Sequence, residues 1–191
     1  MDARGSAYYI TVLVFLFFPL FVSAQKEEAI PWSADRKLQW SDFKGSYFKT
    51  EWAAATTATG ISYAFTTTEE NGRQFLEIEV RCEFYPYRSW YRPEVCDANT
   101  LGHEQLHFDI AELYARLFRK RLGEASFTSD VKDEVKAIYK QILKELIAFQ
   151  NKYDRETDFS KDVRQQRLWN RTIAEELLAS EQTKTPSKND S

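Results

Sequence analysis

The chain has 191 residues, room for one domain of ordinary size, and its 43% hydrophobic and 15% aromatic content excludes wholesale disorder. A formal net charge of -3 and a pI near 5.6 exclude a nucleic-acid binder that works by bulk charge. Two cysteines exclude a four-cysteine zinc ribbon, and with only two histidines any metal site must combine them with carboxylates.

The N-terminus starts weakly positive at Arg4 and runs apolar from Tyr8 to Val22, broken only by Thr11 and Pro19. That run is short of the roughly 20 residues a membrane-spanning helix needs. It is followed by Val22-Ser23-Ala24, small residues suited to signal peptidase. The expectation is a signal peptide over 1–24, Gln25 as the first mature residue, and export to a periplasm or the medium. No stable membrane span then remains after cleavage. No cysteine sits at the cleavage point, so a bacterial lipid anchor is not indicated.

The mature domain is read as 25–181, with a polar, disordered tail over 182–191. It opens on an aromatic-rich lead-in, Ile30-Pro31-Trp32 and Leu38 to Phe43, that ends near Gly45. Ile61, Tyr63 and Phe65 then alternate with Ser62, Ala64 and Thr66, a strand pattern. Glu70-Asn71-Gly72 marks a turn. Leu76, Ile78, Val80, Cys82 and Phe84 alternate with Glu77, Glu79, Arg81 and Glu83. The two segments predict an antiparallel hairpin. An oxidising compartment would let Cys82 pair with Cys96, and the short loop so closed would add about 3 kcal/mol on the chain-entropy model.

Tyr85 to Asn99, with Pro86 and Pro93, reads as a loop. Asn99 or Thr100 can cap a helix running to about Leu122, with Gly123 ending it. Ser129 or Asp130 caps a second helix, whose stripe is Val131, Val135, Ile138, Ile142, Leu146, Phe149 and Tyr153. A shorter helix covers Asp162 to Ser180. Strands first and helices later predict an α+β domain, a small antiparallel sheet followed by helices.

Both histidines fall in one pentapeptide, His103-Glu104-Gln105-Leu106-His107. Residues four apart on a helix share a face, so the two imidazoles can hold one zinc ion. Glu104 lies about 100° round the helix, off the ligand line but within reach of a water on the metal. Zinc lowers the pKa of such a water to about 7, and Glu104 is placed to take its proton. This is the H-E-x-x-H pattern of zinc metallopeptidases. Leu101, Leu106, Phe108, Ile110, Leu113 and Leu117 surround the motif on several faces, which predicts a buried helix.

A catalytic zinc keeps three protein ligands and one open position. Asp109 and Glu112 point about 200° and 140° round the helix from His107, which suits supporting roles better. The third ligand is expected from a separate element. Glu134, Glu145, Asp154, Glu156 and Asp158 are candidates on or just after the second helix. Tyr153-Asp154-Arg155-Glu156-Thr157-Asp158 stands out, because three carboxylates crowd a helix C-terminus where the macrodipole disfavours them. A cation there would offset that cost. The same crowd also suits a solvated helix end.

The sequence resembles the secreted bacterial proteins described as predicted zinc-dependent proteases, domain-of-unknown-function family 922. The resemblance rests on Trp40-Ser41-Asp42-Phe43-Lys44-Gly45, the Ala53 to Ile61 stretch and Phe84 through Ser89-Trp90. It continues over His103 to Arg116, Tyr153-Asp154 with Thr157, and Trp169. It implies a zincin-like metallopeptidase, an active-site helix with a packed backing helix, His103 and His107 as zinc ligands and Glu104 as general base. If the second block supplies its Asp, Asp154 is the third ligand. Glu156 is the second choice, favoured by helical spacing after Phe149 and Tyr153. Many members carry a histidine two places after the threonine, where this chain has Phe159. Tyr153 is the candidate transition-state stabiliser. The expected partner is a peptide or protein substrate, and the alternative is a catalytically silent zincin-like binding or envelope protein.

Overall fold

The computed structural model describes residues 28–47, 53–70 and 73–182, with side chains except at 67–70, 73–76 and 182. The expected signal peptide, the Asn71-Gly72 turn and the tail beyond Gln182 lie outside the described residues. Two long strands, β3 (Thr59–Glu70) and β4 (Arg73–Phe84), form the antiparallel hairpin that the alternation predicts. Ile61 pairs with Cys82 and Tyr63 with Val80, so apolar residues of both strands share a face. The short β1 (Ile30–Pro31) adds to β4, giving the order β1-β4-β3. A second pair joins β2 (Ala55–Thr56) to β5 (Trp90–Tyr91), also antiparallel. The region read as a loop from Tyr85 therefore holds a strand and a 3-10 turn, Pro86–Arg88.

Three helices follow: α1 (Ala98–Glu124), α2 (Val131–Glu156) and α3 (Val163–Gln182). The fold is α+β, as the element order predicts. Gln182, expected in the tail, ends α3 instead. The first helix begins two to three residues earlier than expected, because Asp97 and neither Asn99 nor Thr100 is the cap, accepting the Thr100 N–H at 2.8 Å. Gly123 lies inside α1 and does not end it.

The helix α1 is the axis of the domain. At 27 residues it is roughly 40 Å long. Phe108, Ile110, Ala111, Ala115 and Phe118 on it are buried, and it packs against the sheet, α2 and α3. Its burial on several sides matches the apolar residues that flank the histidine motif. Ile61, Val80, Cys82 and Phe84 cover it from the sheet, while Val135, Ile142, Leu146 and Tyr153 come from α2. A fully buried side chain such as Phe84 contributes about 1.5–3 kcal/mol.

The aromatic lead-in is a clamp on this axis. Trp32 Nε1 donates to Asp109 Oδ1 at 2.8 Å, and the Leu38 N–H donates to Gln105 Oε1 at 2.7 Å. Both acceptors stand on α1, in the stretch that carries the histidines. Trp40 stacks on Tyr91, and Phe43 packs edge-on against Phe84. Gly45 N–H then bonds Ser89 O at 2.8 Å, an approach so close that a Cβ on Gly45 would meet that oxygen at 2.8 Å.

The disulfide expected between Cys82 and Cys96 is corrected: both cysteines are free. Cys82 is packed into the core under α1, where burial pushes its thiol pKa well up. Cys96 precedes α1 and gives its S–H to Ala54 O at 3.2 Å. Each thiol is taken up by a different neighbourhood, one apolar and one backbone.

Candidate metal centre

His103 and His107 stand four residues apart on α1 and so share one face. Their rings lie 4.9 Å apart, edge to face at 87°. The last turn of α2 brings Asp154 between them. Asp154 Oδ1 is 3.2 Å from His103 Nε2 and 3.0 Å from His107 Nε2. Among the described residues these three form a group able to hold a metal ion, with one ligand atom from each lying within 4.8 Å of the others.

Two imidazoles and a carboxylate are donors that suit zinc among other divalent ions. Bonds of about 2.0–2.2 Å in a tetrahedron place ligand atoms roughly 3.3–3.6 Å apart. The two nitrogen–oxygen separations are within a few tenths of an ångström of that edge. Two imidazoles and one carboxylate are also the ligand types of one kind of catalytic zinc site, which leaves a position open.

Electrostatics follow from this geometry. Burial alone would raise the Asp154 pKa, but hydrogen bonds and charge from the two imidazoles hold the carboxyl well below its usual range. For His107, burial opposes protonation, while Asp154 and then the charge of Glu104 favour it. The net pKa is raised above the ordinary histidine value. The two imidazoles thus offset the cost of a carboxylate at the C-terminal end of a helix.

Glu104 is buried, at 6% exposure, next to His103 in the chain. Among the described residues its carboxylate has no hydrogen-bond or ion-pair partner. The other carboxylates of α1 are committed. Asp109 accepts from Trp32, Gln105 and Lys37, and Glu112 accepts from Arg116 and Arg119. Both therefore serve as structural supports, in keeping with their rotation away from the histidines.

The remaining candidates fall elsewhere. Glu156, the second choice for the ligand, accepts the Trp169 Nε1–H at 3.0 Å. Two residues past Asp154 it is turned about 200° round the helix, toward α3. Glu134 accepts from Thr128, and Glu145 holds Arg121 through two bonds. Asp158 is two-thirds exposed, 4.0 Å from Lys161.

Tyr153 is fully buried with its ring stacked on that of His103, centroids 4.5 Å apart. Its single hydroxyl proton is shared between two acceptors, Gln166 Oε1 at 2.9 Å and the His103 carbonyl at 3.2 Å. Through these contacts the hydroxyl ties α2 to α1 and α3. Thr157, also fully buried, closes the end of α2 by donating to Tyr153 O at 2.8 Å. Asp158, Phe159 and Ser160 then turn with φ of 45°, 52° and 76°. Three left-handed non-glycine residues in a row cost about 1–2 kcal/mol each. The turn is held by Phe159 N–H on Asp154 O at 2.9 Å and by Asn99 Nδ2 on Ser160 O. Phe159 itself is 57% exposed.

Sequence reasoning missed Gln166. It is 2% exposed, and its Oε1 stands 3.0 Å from His103 Nδ1. A signal was present: Gln166, Trp169, Ile173 and Leu177 follow the spacing of one buried stripe, and Gln166 is its polar member.

No curated protein and no solved structure matches the chain. The model of a family described as "Bacterial protein of unknown function (DUF922)" matches residues 87–162. This segment contains His103, Glu104, His107 and Asp154, so the resemblance to family 922 holds over the stretch that carries the candidate metal centre.

Proposed function

We propose that the chain is an exported zinc-dependent metallopeptidase. One observation carries the reading: His103 and His107 Nε2 converge on Asp154 Oδ1, with a buried and uncommitted Glu104 on the same helix. Zinc held by these three residues would supply Lewis acidity, polarising a carbonyl and lowering the pKa of its water to about 7.

The protein's own groups do the rest. His103 and His107 give neutral nitrogens, and Asp154 gives the charge that offsets part of the ion's. Glu104, unpaired and next to the ligands, takes the proton from the attacking water and returns it to the leaving amine. Tyr153 excludes water from the rear of His103 by stacking on it. The apolar run before Val22-Ser23-Ala24 supports export, and no helix among the described residues is long and apolar enough to cross a membrane.

The test is cleavage of a quenched peptide library by the mature chain, with and without chelator, beside Glu104→Gln. The expected result is turnover abolished by chelation, restored by zinc and lost in the variant. Turnover unaffected by both would overturn the reading. Zinc bound with no peptide cut would turn it toward a silent, metal-holding protein.

A further inference from the structure

We infer that Gln166 is a positioning residue for His103, holding its Nδ1–H through the amide oxygen so that Nε2 is the nitrogen presented to Asp154. The inference deepens the metal-centre reading, on which its consequence for zinc affinity rests.

Gln166 sits on the buried face of α3, where an amide without partners would be costly. Its Nε2 donates to Asn170 Oδ1 at 2.8 Å. Its Oε1 receives the Tyr153 hydroxyl at 2.9 Å and stands 3.0 Å from His103 Nδ1. A carbonyl oxygen only accepts, so the proton of that contact sits on Nδ1. With Nδ1–H turned to Gln166, Nε2 is the nitrogen 3.2 Å from Asp154 Oδ1: without a metal it can give that carboxylate a second N–H, and with a metal in the site it is the nitrogen whose lone pair would be offered. Tyr153, stacked at 22° to the imidazole, fixes the ring plane. The edge and the face of one ring are thus held by α3 and α2 respectively.

This gives α3 a task at the centre although Gln166 lies beyond the matched segment, residues 87–162. Partners of this kind commonly change metal affinity by about 10–100-fold when removed.

The experiment compares the mature wild-type chain with Gln166→Leu and Gln166→Glu. Zinc affinity is read by competition with a chromophoric chelator, and the His103 ring nitrogens by NMR on zinc-free protein with the ring neutral. The expected result is that Gln166→Leu weakens zinc binding by about 10–100-fold and raises the Nε2-protonated form of His103. Gln166→Glu, which keeps an accepting oxygen, is expected to retain or raise the affinity. Equal affinity in wild type and Gln166→Leu would overturn the inference. So would a loss in Gln166→Glu as large as in Gln166→Leu, which would place the amide nitrogen on His103. Should Gln166→Leu not fold, Gln166→Glu against wild type still decides between the two amide orders. Should the wild type bind no zinc, the metal-centre reading fails by itself. The nitrogen spectra then decide the role of Gln166, and an unchanged His103 in Gln166→Leu counts against it.

Discussion

Asp154 Oδ1 lies 3.0 Å from His107 Nε2, a contact between the last turn of α2 and the middle of α1. It separates two carboxylates that sequence spacing left in competition. Asp154→Ala is expected to lower zinc affinity by more than the roughly 10–100-fold that follows loss of an outer partner, because a ligand atom itself is removed. Glu156→Gln is expected to leave zinc affinity unchanged, since that side chain is bonded to Trp169. Competition titration of both variants against wild type checks this. Equal losses in the two would mean that α2 is rotated from the position described.

Glu104 should separate binding from chemistry. Glu104→Gln keeps the shape of the side chain and touches no ligand, so zinc content should stay at the wild-type level. Peptide turnover should fall by about 10²–10⁴-fold, the usual contribution of a positioned acid or base. Metal analysis and a turnover assay on one preparation give both numbers. A variant with full activity would remove Glu104 from the mechanism.

How much of this was legible beforehand depends on which residues carried it. The hairpin could be read because Ile61 to Phe65 and Leu76 to Phe84 alternate cleanly, and an alternating strand with one charged face has one sensible register. His103, Glu104 and His107 could be read because a helix fixes their relative rotation. Asp154 against Glu156 could not, because the angle at which α2 crosses α1 is set by packing of Leu146, Tyr153 and Trp169. Local spacing says nothing of that angle. The free thiols were misread for a similar reason: separation along the chain does not say that Cys82 is roofed by α1 while Cys96 faces Ala54 O.

Two glycines should behave oppositely when replaced by alanine. At Gly45 the added methyl would sit 2.8 Å from Ser89 O and 3.0 Å from Tyr87 O, both backbone atoms. Neither can give way without moving the segment before β5. Gly45→Ala should therefore destabilise by about 1–3 kcal/mol, the usual cost of overpacking. At Gly102, within α1, nothing lies within 4 Å of the added methyl. Gly102→Ala should stabilise by about 0.5–1 kcal/mol through reduced backbone freedom in the unfolded chain. Thermal melting of both metal-free variants is the check, and a loss at Gly102 would contradict the open space beside it.

The thiols should differ in reactivity. The thiolate is the form that attacks an alkylating reagent. Burial raises the pKa of both cysteines, Cys82 well above its usual value and Cys96 less so. At pH 8 both hold less thiolate than a free cysteine, and Cys82 the least. In the native protein Cys96 should be alkylated first and Cys82 only after denaturation. Peptide mass spectrometry after brief iodoacetamide treatment reads the order. A Cys82–Cys96 bridge in protein prepared without reductant would overturn the free-thiol structure.

A buried carboxylate on α1 should prove to be a junction of three elements. Glu112 Oε1 accepts from Arg116 Nε at 2.9 Å and from Arg119 Nη1 at 3.1 Å. Arg116 in turn reaches Leu177 O on α3, and Arg119 reaches Val80 O on β4, each at 2.7 Å. Removing one partner of such a pair leaves a buried charge uncompensated, which costs about 3–5 kcal/mol. Glu112→Ala should therefore lower the urea midpoint with an unchanged slope, because the surface exposed on unfolding is nearly the same. Glu112→Ala combined with Arg116→Met should recover part of the loss, since the orphaned guanidinium is gone and an apolar stem remains beside Trp32. A double variant no more stable than the single one would mean that losing the Arg116 bond to Leu177 O on α3 costs as much as removing the orphaned charge gains.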